Sequence, residues 1–337
     1  MLLRRPALPS LALTAKHVLL TEPSAPPWPS YTGVSQYVGT STNGRVDVFV
    51  DPALGIQGLE NAQALVLDAD RITAQNDALF GSTGGPVQVI VYALGGATDG
   101  TGGADHDGCD YTSGAAIEVC AAFGAPMRVS ALFEAELSEC SMGGNLCAVS
   151  TGEALSRWCA SAMSGNALGD FATAPTWAAD GSQNFVDVTD PTDRNADSIG
   201  CGMAFLSWLQ SLGFSLSAIA QNMTALGEGA LLSGLYAALT GDTSDKAWPA
   251  FMAAVQALGA PILSDDPFSG VSPPPAPPPP LPVPVPSPTP PPSVTLADAI
   301  AWAALGLTEN WPVDGARHPG ATQKIAPAPP APGPYRG

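Results

Sequence analysis

The sequence predicts an α+β protein in which a small mixed sheet precedes a mostly helical C-terminal half. Segments 45–50 and 87–94 are rich in β-branched residues, which is typical of strands. Segments 129–140 and 152–163 have the apolar spacing of helices, and from residue 198 onward the pattern is almost entirely helical. Strands first and helices later favour the α+β class.

The elements of the first half follow from local patterns. Segment 45–50, RVDVFV, alternates as a half-buried strand does, and 87–94, VQVIVYAL, is a continuous apolar run expected of a central strand. Between them, 59–79 has helical spacing and Gly81 is the predicted stop. Segment 111–121, YTSGAAIEVCA, predicts a turn leading into another strand.

The second half is predicted as successive helices separated by Gly or Asp turns. Before the first of these helices lies an acidic stretch, 187–198, which suits either calcium or a solvated loop and in which Asp197 or Ser198 is the expected N-cap. The predicted helices cover 204–212, 215–223, 230–239 and 247–258.

Composition divides the chain into four parts. Segment 272–293 is almost entirely proline with small residues, so it predicts a semi-rigid polyproline II spacer. Thr295 is the expected N-cap of a short apolar helix that is too small to fold alone and is expected to dock on the main domain or on a partner. The predicted parts are an N-terminal tail (1–30), a globular domain (31–268), a proline-rich linker (269–293) and a C-terminal helix with a disordered tail (294–337).

The charge balance limits the partners. Twelve Lys and Arg against 30 Asp and Glu give a net charge of −18, and such a surface repels a phosphate backbone. Nucleic acid is therefore not an expected partner, whereas a peptide or protein is. No apolar stretch is long enough to predict a membrane span.

Six cysteines, an even number, lie between residues 109 and 201. They could form three disulfides with fifteen possible pairings, or remain buried free thiols. Cys140 and Cys147 flank a short glycine-containing loop and are the favoured pair, and the absence of CxxC spacing argues against a structural zinc site. Disulfides favour an oxidising compartment, extracellular or in the cell envelope.

The first twenty residues do not settle that location. Two arginines followed by leucines are typical of a signal peptide, but Pro6, Pro9 and Lys16 interrupt the apolar run. An atypical export signal and a disordered tail both remain open.

Two helical segments carry the candidate chemistry: 131–142, ALFEAELSECSM, and 150–160, STGEALSRWCA. Zinc peptidases place two histidines at i and i+4 of one helix, with a glutamate after the first as general base. The GEALSR segment, led by Glu153, resembles the second helix of the gluzincins, and Glu136 stands at the position of the general base. Segment 111–121 resembles the edge strand that precedes such a helix.

Across residues 111–258 the order of these motifs resembles the plant basic secretory proteins, a zincin-like family. It is also similar to a group of bacterial proteins with a GADHDGCDY-like loop and ELSE and GEALSR helices. The resemblance implies a zincin-like, gluzincin-type fold and a metallopeptidase-like site.

The metal-binding helix departs from that family. Ala135 occupies the first histidine position and Glu139 the second, so AELSE replaces HExxH. The chain has three histidines, of which His17 and His318 lie in the predicted tails and His106 alone lies in the domain. An ordinary two-histidine zinc site is therefore excluded.

Two functions follow from this departure. The first expectation is a zincin-like protein without ordinary zinc peptidase activity, acting as an extracellular or envelope binding or scaffold module. The alternative is a metal-dependent hydrolase, with Glu136 as general base and with Glu139, Glu153 and His106 holding calcium, manganese or zinc. Carboxylates with one imidazole suit calcium or manganese better than zinc. In the non-catalytic case, Glu139 and Glu153 pair with Arg157 or cap helices.

The acidic, glycine-rich loop before residue 111 is a second candidate metal site. Its oxygen-rich composition suits calcium, although the spacing is not that of an EF-hand. The alternative is a solvated loop held by Asx-turns. The candidate ligands are Asp99, Asp105, Asp107 and Asp110.

Overall fold

The computed structural model describes residues 22–94, 103–108, 111, 114, 116–120, 126–142, 146–227 and 229–270. The described residues form a mixed sheet of five strands and eight α-helices, mostly helical overall, so the predicted α+β class is confirmed. Most of the predicted N-terminal tail, the proline-rich linker and the C-terminal helix lie outside the described residues.

The sheet has the order β1-β2-β3-β5-β4, in which β2, β3 and β5 are parallel and the two edge strands are antiparallel to their neighbours. The predicted strands at 45–50 and 87–94 are confirmed, the second as the central strand. The strands are β1 (Gln36–Thr40), β2 (Val46–Val50), β3 (Val87–Tyr92), β4 (Ala104–Asp107) and β5 (Ala116–Cys120).

The helices agree with the predicted segments apart from their ends and the unpredicted α4. The helices are α1 (Gly55–Phe80), α2 (Pro126–Ser141), α3 (Ser150–Ser164), α4 (Ala174–Ala179), α5 (Ala196–Ser211), α6 (Leu216–Leu226), α7 (Leu232–Thr240) and α8 (Ala247–Ala257). Helix α1 ends at Gly81, as predicted, where a φ of 70° suits glycine.

The predicted N-cap of the first late helix is wrong. Asn195 caps α5, because its side chain accepts a hydrogen bond of 3.0 Å from the backbone N–H of Asp197. The helix begins earlier than its apolar pattern, so Asp197 and Ser198 lie in the first turn.

Apolar residues pack against both faces of the sheet, and the later helices enclose a second core. Helices α1 and α2 cover one face through an apolar core that includes Leu65, Val89 and Phe133. On the other face, Trp28 of the N-terminal segment packs edge-on against Phe49 of β2. Helices α3 to α8 enclose a second core rich in aromatic rings.

A buried carboxylate joins the N-terminal segment to the sheet. Glu118 of β5 is fully buried and accepts hydrogen bonds from the backbone N–H groups of Ser30 and Tyr31 and from the hydroxyl of Tyr92. Because these hydrogen bonds converge on one carboxylate, Glu118 helps to fix where the N-terminal segment crosses the sheet.

The predicted loop before residue 111 contains an unpredicted edge strand, β4. It pairs with β5, with His106 opposite Ile117 and Asp105 opposite Glu118. Ile117 belongs to the core shared with α2, so His106 lies on the α2 side of the sheet and Asp105 on the other. Segment 111–121, which resembles an edge strand, contains β5, and β5 lies between β3 and the edge strand β4.

None of the helices in the described part of the chain has both the length and the apolarity needed to cross a membrane.

Candidate metal centre

One face of α2 lines a cleft of about 800 Å³. Leu132, Ala135, Glu136 and Glu139 all border it, and their spacing of i, i+3, i+4 and i+7 places them on one side of a helix. The two positions at which a zinc peptidase carries histidine therefore face the cleft in this chain as well. Ala135 offers no ligand atom there, and Glu139 offers a carboxylate.

His106 reaches this face from β4. Its Nε2 lies 3.0 Å from Oε2 of Glu139 and 3.8 Å from Oε2 of Glu136. Its Nδ1 is hydrogen-bonded to the backbone carbonyl of Gly108, which leaves Nε2 directed at the carboxylates. His106, Glu136 and Glu139 thus each offer a ligand atom, all within 4.8 Å of one another.

The charge on His106 depends on its neighbours. Burial opposes protonation, but contacts with Cys140 and Glu139 raise the pKa of His106 to about 12. Without a cation, the imidazolium therefore carries on Nε2 the proton that it shares with Glu139. A divalent metal is able to take the place of that proton, because both need the same lone pair.

Glu139 has an oxygen without a partner. The side chain is 8 % exposed, and its Oε1 is buried without a hydrogen bond while Oε2 faces His106. A buried carboxylate oxygen in this state loses the free energy of its hydration and gains nothing in return. A cation bound in the cleft would satisfy it.

Glu153 enters the cleft from the first turn of α3. Burial and then the charge of Glu139 raise the pKa of Glu153 to about 8, against the opposing effect of Arg157. The predicted pairing with Arg157 is weak, since Arg157 Nη1 is 4.0 Å from Oε1 of Glu153. Burial and the neighbouring Glu139 likewise raise the pKa of Glu136 well above its ordinary range. The cleft therefore holds more carboxyl groups than it can keep ionised by itself, and without a cation Glu136 and Glu153 retain their protons to a higher pH than usual.

The predicted disulfide between Cys140 and Cys147 is wrong, because Cys140 is a free thiol. The Sγ of Cys140 lies 3.7 Å from Nδ1 of His106, because Cys140 is adjacent to Glu139 on α2. Cys147 is disulfide-bonded, with its other half outside the described side chains. At 1 % exposure Cys140 is inaccessible to a substrate, so it is not a candidate nucleophile.

The predicted calcium ligands are only partly described. Asp99 and Asp110 lie outside the described residues, and Asp105 and Asp107 lie on β4 rather than in a loop. Asp105 accepts hydrogen bonds from the hydroxyl of Ser30 and the backbone N–H of His106. The three-residue metal cluster found among the described residues includes neither aspartate, so calcium binding at this loop stays a prediction.

Several residues of the cleft were not predicted as neighbours of the α2 site. Asp193 and Arg194, from the acidic stretch before α5, border it together with Leu168 and Phe171. No spacing in the sequence links them to α2 or to α3. Their position depends on how the 165–195 segment packs.

Comparisons of this chain with protein-family models, with curated proteins and with solved structures found no match. The resemblance to the plant basic secretory proteins and to zincin-like folds therefore stays a prediction.

Proposed function

We propose that this chain is a metal-dependent hydrolase of the metallopeptidase type with a carboxylate-rich metal site. The observation that carries the proposal is the meeting of His106, Glu136 and Glu139 within 4.8 Å in an open cleft. His106 is separated from Glu139 by 33 positions and comes from a different element. Within this cluster Oε1 of Glu139 is buried without a partner, a cost that a bound cation would remove.

The ligand set favours manganese(II), with zinc as the next choice. An imidazole nitrogen with carboxylate oxygens suits these ions, whereas calcium prefers oxygen ligands alone. His106 Nε2 and Glu139 would hold the ion. Glu153 of α3 borders the same cleft but is not one of the three groups that lie within 4.8 Å of one another, so its side chain would have to move to complete the set. The Gly108 carbonyl, by accepting from Nδ1, orients the ring for this role.

Glu136 is the general base in this proposal. A bound divalent cation supplies Lewis acidity and lowers the pKa of a coordinated water. Glu136 lies one helical residue from Ala135 and has Oε2 3.8 Å from Nε2 of His106, so it is close enough to accept a proton at the site. The small side chain of Ala135 leaves room beside it for a substrate carbonyl group.

The zincin-like relationship is part of the same proposal. Support comes from an antiparallel edge strand, β4, beside a helix whose i and i+4 positions face the cleft, and from a carboxylate on the next helix. The departure lies in the source of the imidazole, which is the strand in this chain and the helix in the family.

The test is metal binding and hydrolysis by the full chain. Purified protein, stripped with chelator and dialysed against manganese or zinc, is expected to retain about one ion per chain by elemental analysis. The double variant Glu139→Gln/Glu153→Gln is expected to lose it. Glu136→Gln is expected to keep the metal and lose hydrolysis of generic peptides, because it removes the base and keeps the neighbouring ligands.

The non-catalytic binding module that the sequence predicts first stays the alternative. Protein that remains free of metal after dialysis into each divalent ion would contradict the hydrolase proposal and support that module.

A further inference from the structure

The two arginine side chains that border the cleft, Arg157 and Arg194, each have a partner within the protein. Arg157, 11 % exposed, donates to the carbonyl of Phe171 and lies 3.8 Å from Oδ2 of Asp265. Its guanidinium group also lies 5.8 Å from the centre of the Phe171 ring. Arg157 is therefore a wall residue whose charge is not available to an anionic ligand. Arg194 is 91 % exposed, and its Nε lies 3.5 Å from Asp193.

The carboxyl groups of the cleft outnumber its basic side chains. Glu136, Glu139, Glu153 and Asp193 border it, against His106, Arg157 and Arg194, and the unpartnered Oε1 of Glu139 is buried. A bound divalent cation favours the ionised form of these carboxyl groups, offsets two of their charges and leaves the cleft without a net positive charge. Phosphate esters need a positive site, so they are disfavoured.

An apolar surface lies alongside these charges. Leu132 and Ala135 of α2 border the cleft together with Leu168 and Phe171 of the 165–172 turn. An aliphatic stem that ends in a cation, as in lysine and arginine, fits a surface that is apolar along one side and acidic at its rim.

We infer that the cleft recognises cationic peptides, with a lysine or arginine side chain near the cleaved bond held by Asp193. The inference rests on the proposed function, because it names the substrate class of that site. Asp193 is suited to this role because it is 44 % exposed, and its partner at 3.5 Å is the still more exposed Arg194. A substrate cation is able to displace such a surface pair at little cost.

The test compares two internally quenched peptides that are identical except for Lys or Glu on either side of the central bond. With the manganese-loaded full chain, kcat/KM is expected to be about tenfold higher for the Lys peptide at low ionic strength. The ratio is expected to shrink as salt is added, because an exposed pair is screened.

Two adjacent substitutions are expected to act in opposite directions. Asp193→Asn removes the acceptor and should lower the Lys-to-Glu ratio, whereas Arg194→Gln removes a competing cation and should raise it. Asp180→Asn is the matched control: it makes the same charge change at an exposed residue that does not border the cleft, so it should leave the ratio unchanged.

A binding measurement separates this inference from the proposed function. Fluorescence anisotropy of both peptides on metal-free protein reports recognition without turnover. Lys-selective binding that Asp193→Asn weakens, with no cleavage of either peptide, supports the recognition and contradicts the hydrolase. Equal binding and equal kcat/KM for the two peptides, or identical effects of Asp193→Asn and Asp180→Asn, overturn the inference.

Discussion

At the residue scale, Glu118 is the fixed point of the N-terminal segment. Its carboxylate accepts from the N–H groups of Ser30 and Tyr31 at 2.8–2.9 Å, and both groups would lose their partner if it were removed. Ser30 also borders the cleft, so this anchor sets one of its walls.

Glu118→Ala is expected to lower the free energy of unfolding by about 3 kcal/mol, because it leaves buried donors unsatisfied. Urea unfolding measures the loss. Glu118→Gln keeps one acceptor oxygen and should lose less; an equal loss for both variants would contradict the hydrogen-bond explanation.

The burial of Glu134 leads us to expect a pH dependence of protein stability that is separate from the metal site. It is fully buried on α2, where Ser138 Oγ donates to Oε1 at 2.8 Å and Oε2 has no partner. Burial raises its pKa well above the ordinary value of 4.5, although Ser138 and Arg71 oppose the shift. The folded protein therefore binds a proton more tightly than the unfolded chain does, and stability falls as the pH rises above about 4.5.

Glu134→Gln imitates the protonated form and should remove this part of the pH dependence. The difference in free energy of unfolding between the variant and the wild type is expected to increase in favour of the variant from pH 5 to pH 8, by at most about 1.4 kcal/mol per pH unit. Urea unfolding at four pH values measures it, with Glu60→Gln, an exposed acid on α1, as control. A constant difference across this range would contradict the assignment.

At the element scale, α5 approaches α3 through a glycine. A Cβ added at Gly202 would lie 2.6 Å from Cβ of Ala154, next to Glu153, so the two helices would have to move apart. The close packing of these helices therefore holds Glu153 where it reaches the cleft.

Gly202→Ala is expected to lower the free energy of unfolding by about 1–3 kcal/mol through overpacking. Gly234→Ala on α7 is the control, since its Cβ would meet Leu226 at 3.7 Å without a clash. That control should be neutral or stabilise by up to about 1 kcal/mol, because alanine favours a helix. Thermal unfolding of both variants measures the contrast, and equal losses would contradict the packing argument.

At the scale of the whole molecule, metal binding should stabilise the fold, because the proposed ligands come from β4, α2 and α3 and would be brought together only by folding. At a manganese concentration 100-fold above Kd, the stabilisation is about 2.7 kcal/mol. Scanning calorimetry is expected to show a Tm increase of about 5–10 °C. His106→Ala should abolish this increase; a persistent increase would place the metal elsewhere.

How far the sequence predicts this molecule depends on the range of each interaction. Segments 45–50 and 129–140 are correctly predicted because a period of 2 or 3.6 residues is written in consecutive positions. Strand β4 was missed because its residues, ADHD, have no β-type pattern, and its pairing with β5 is what makes it a strand. The Cys140–Cys147 pairing failed because closeness in sequence does not fix where a helix directs a thiol.

The sequence by itself excluded an ordinary zinc site with two histidines on one helix. Ala135 and Glu139 stand at the two histidine positions, and two of the three histidines lie in the predicted tails. The sequence also determined that positions 135, 136 and 139 share one helix face. Only the tertiary structure decided that His106 meets that face, with Nε2 3.0 Å from Glu139. The reason is physical: helix geometry acts over four residues, whereas the pairing of an edge strand and its packing on a helix are long-range interactions.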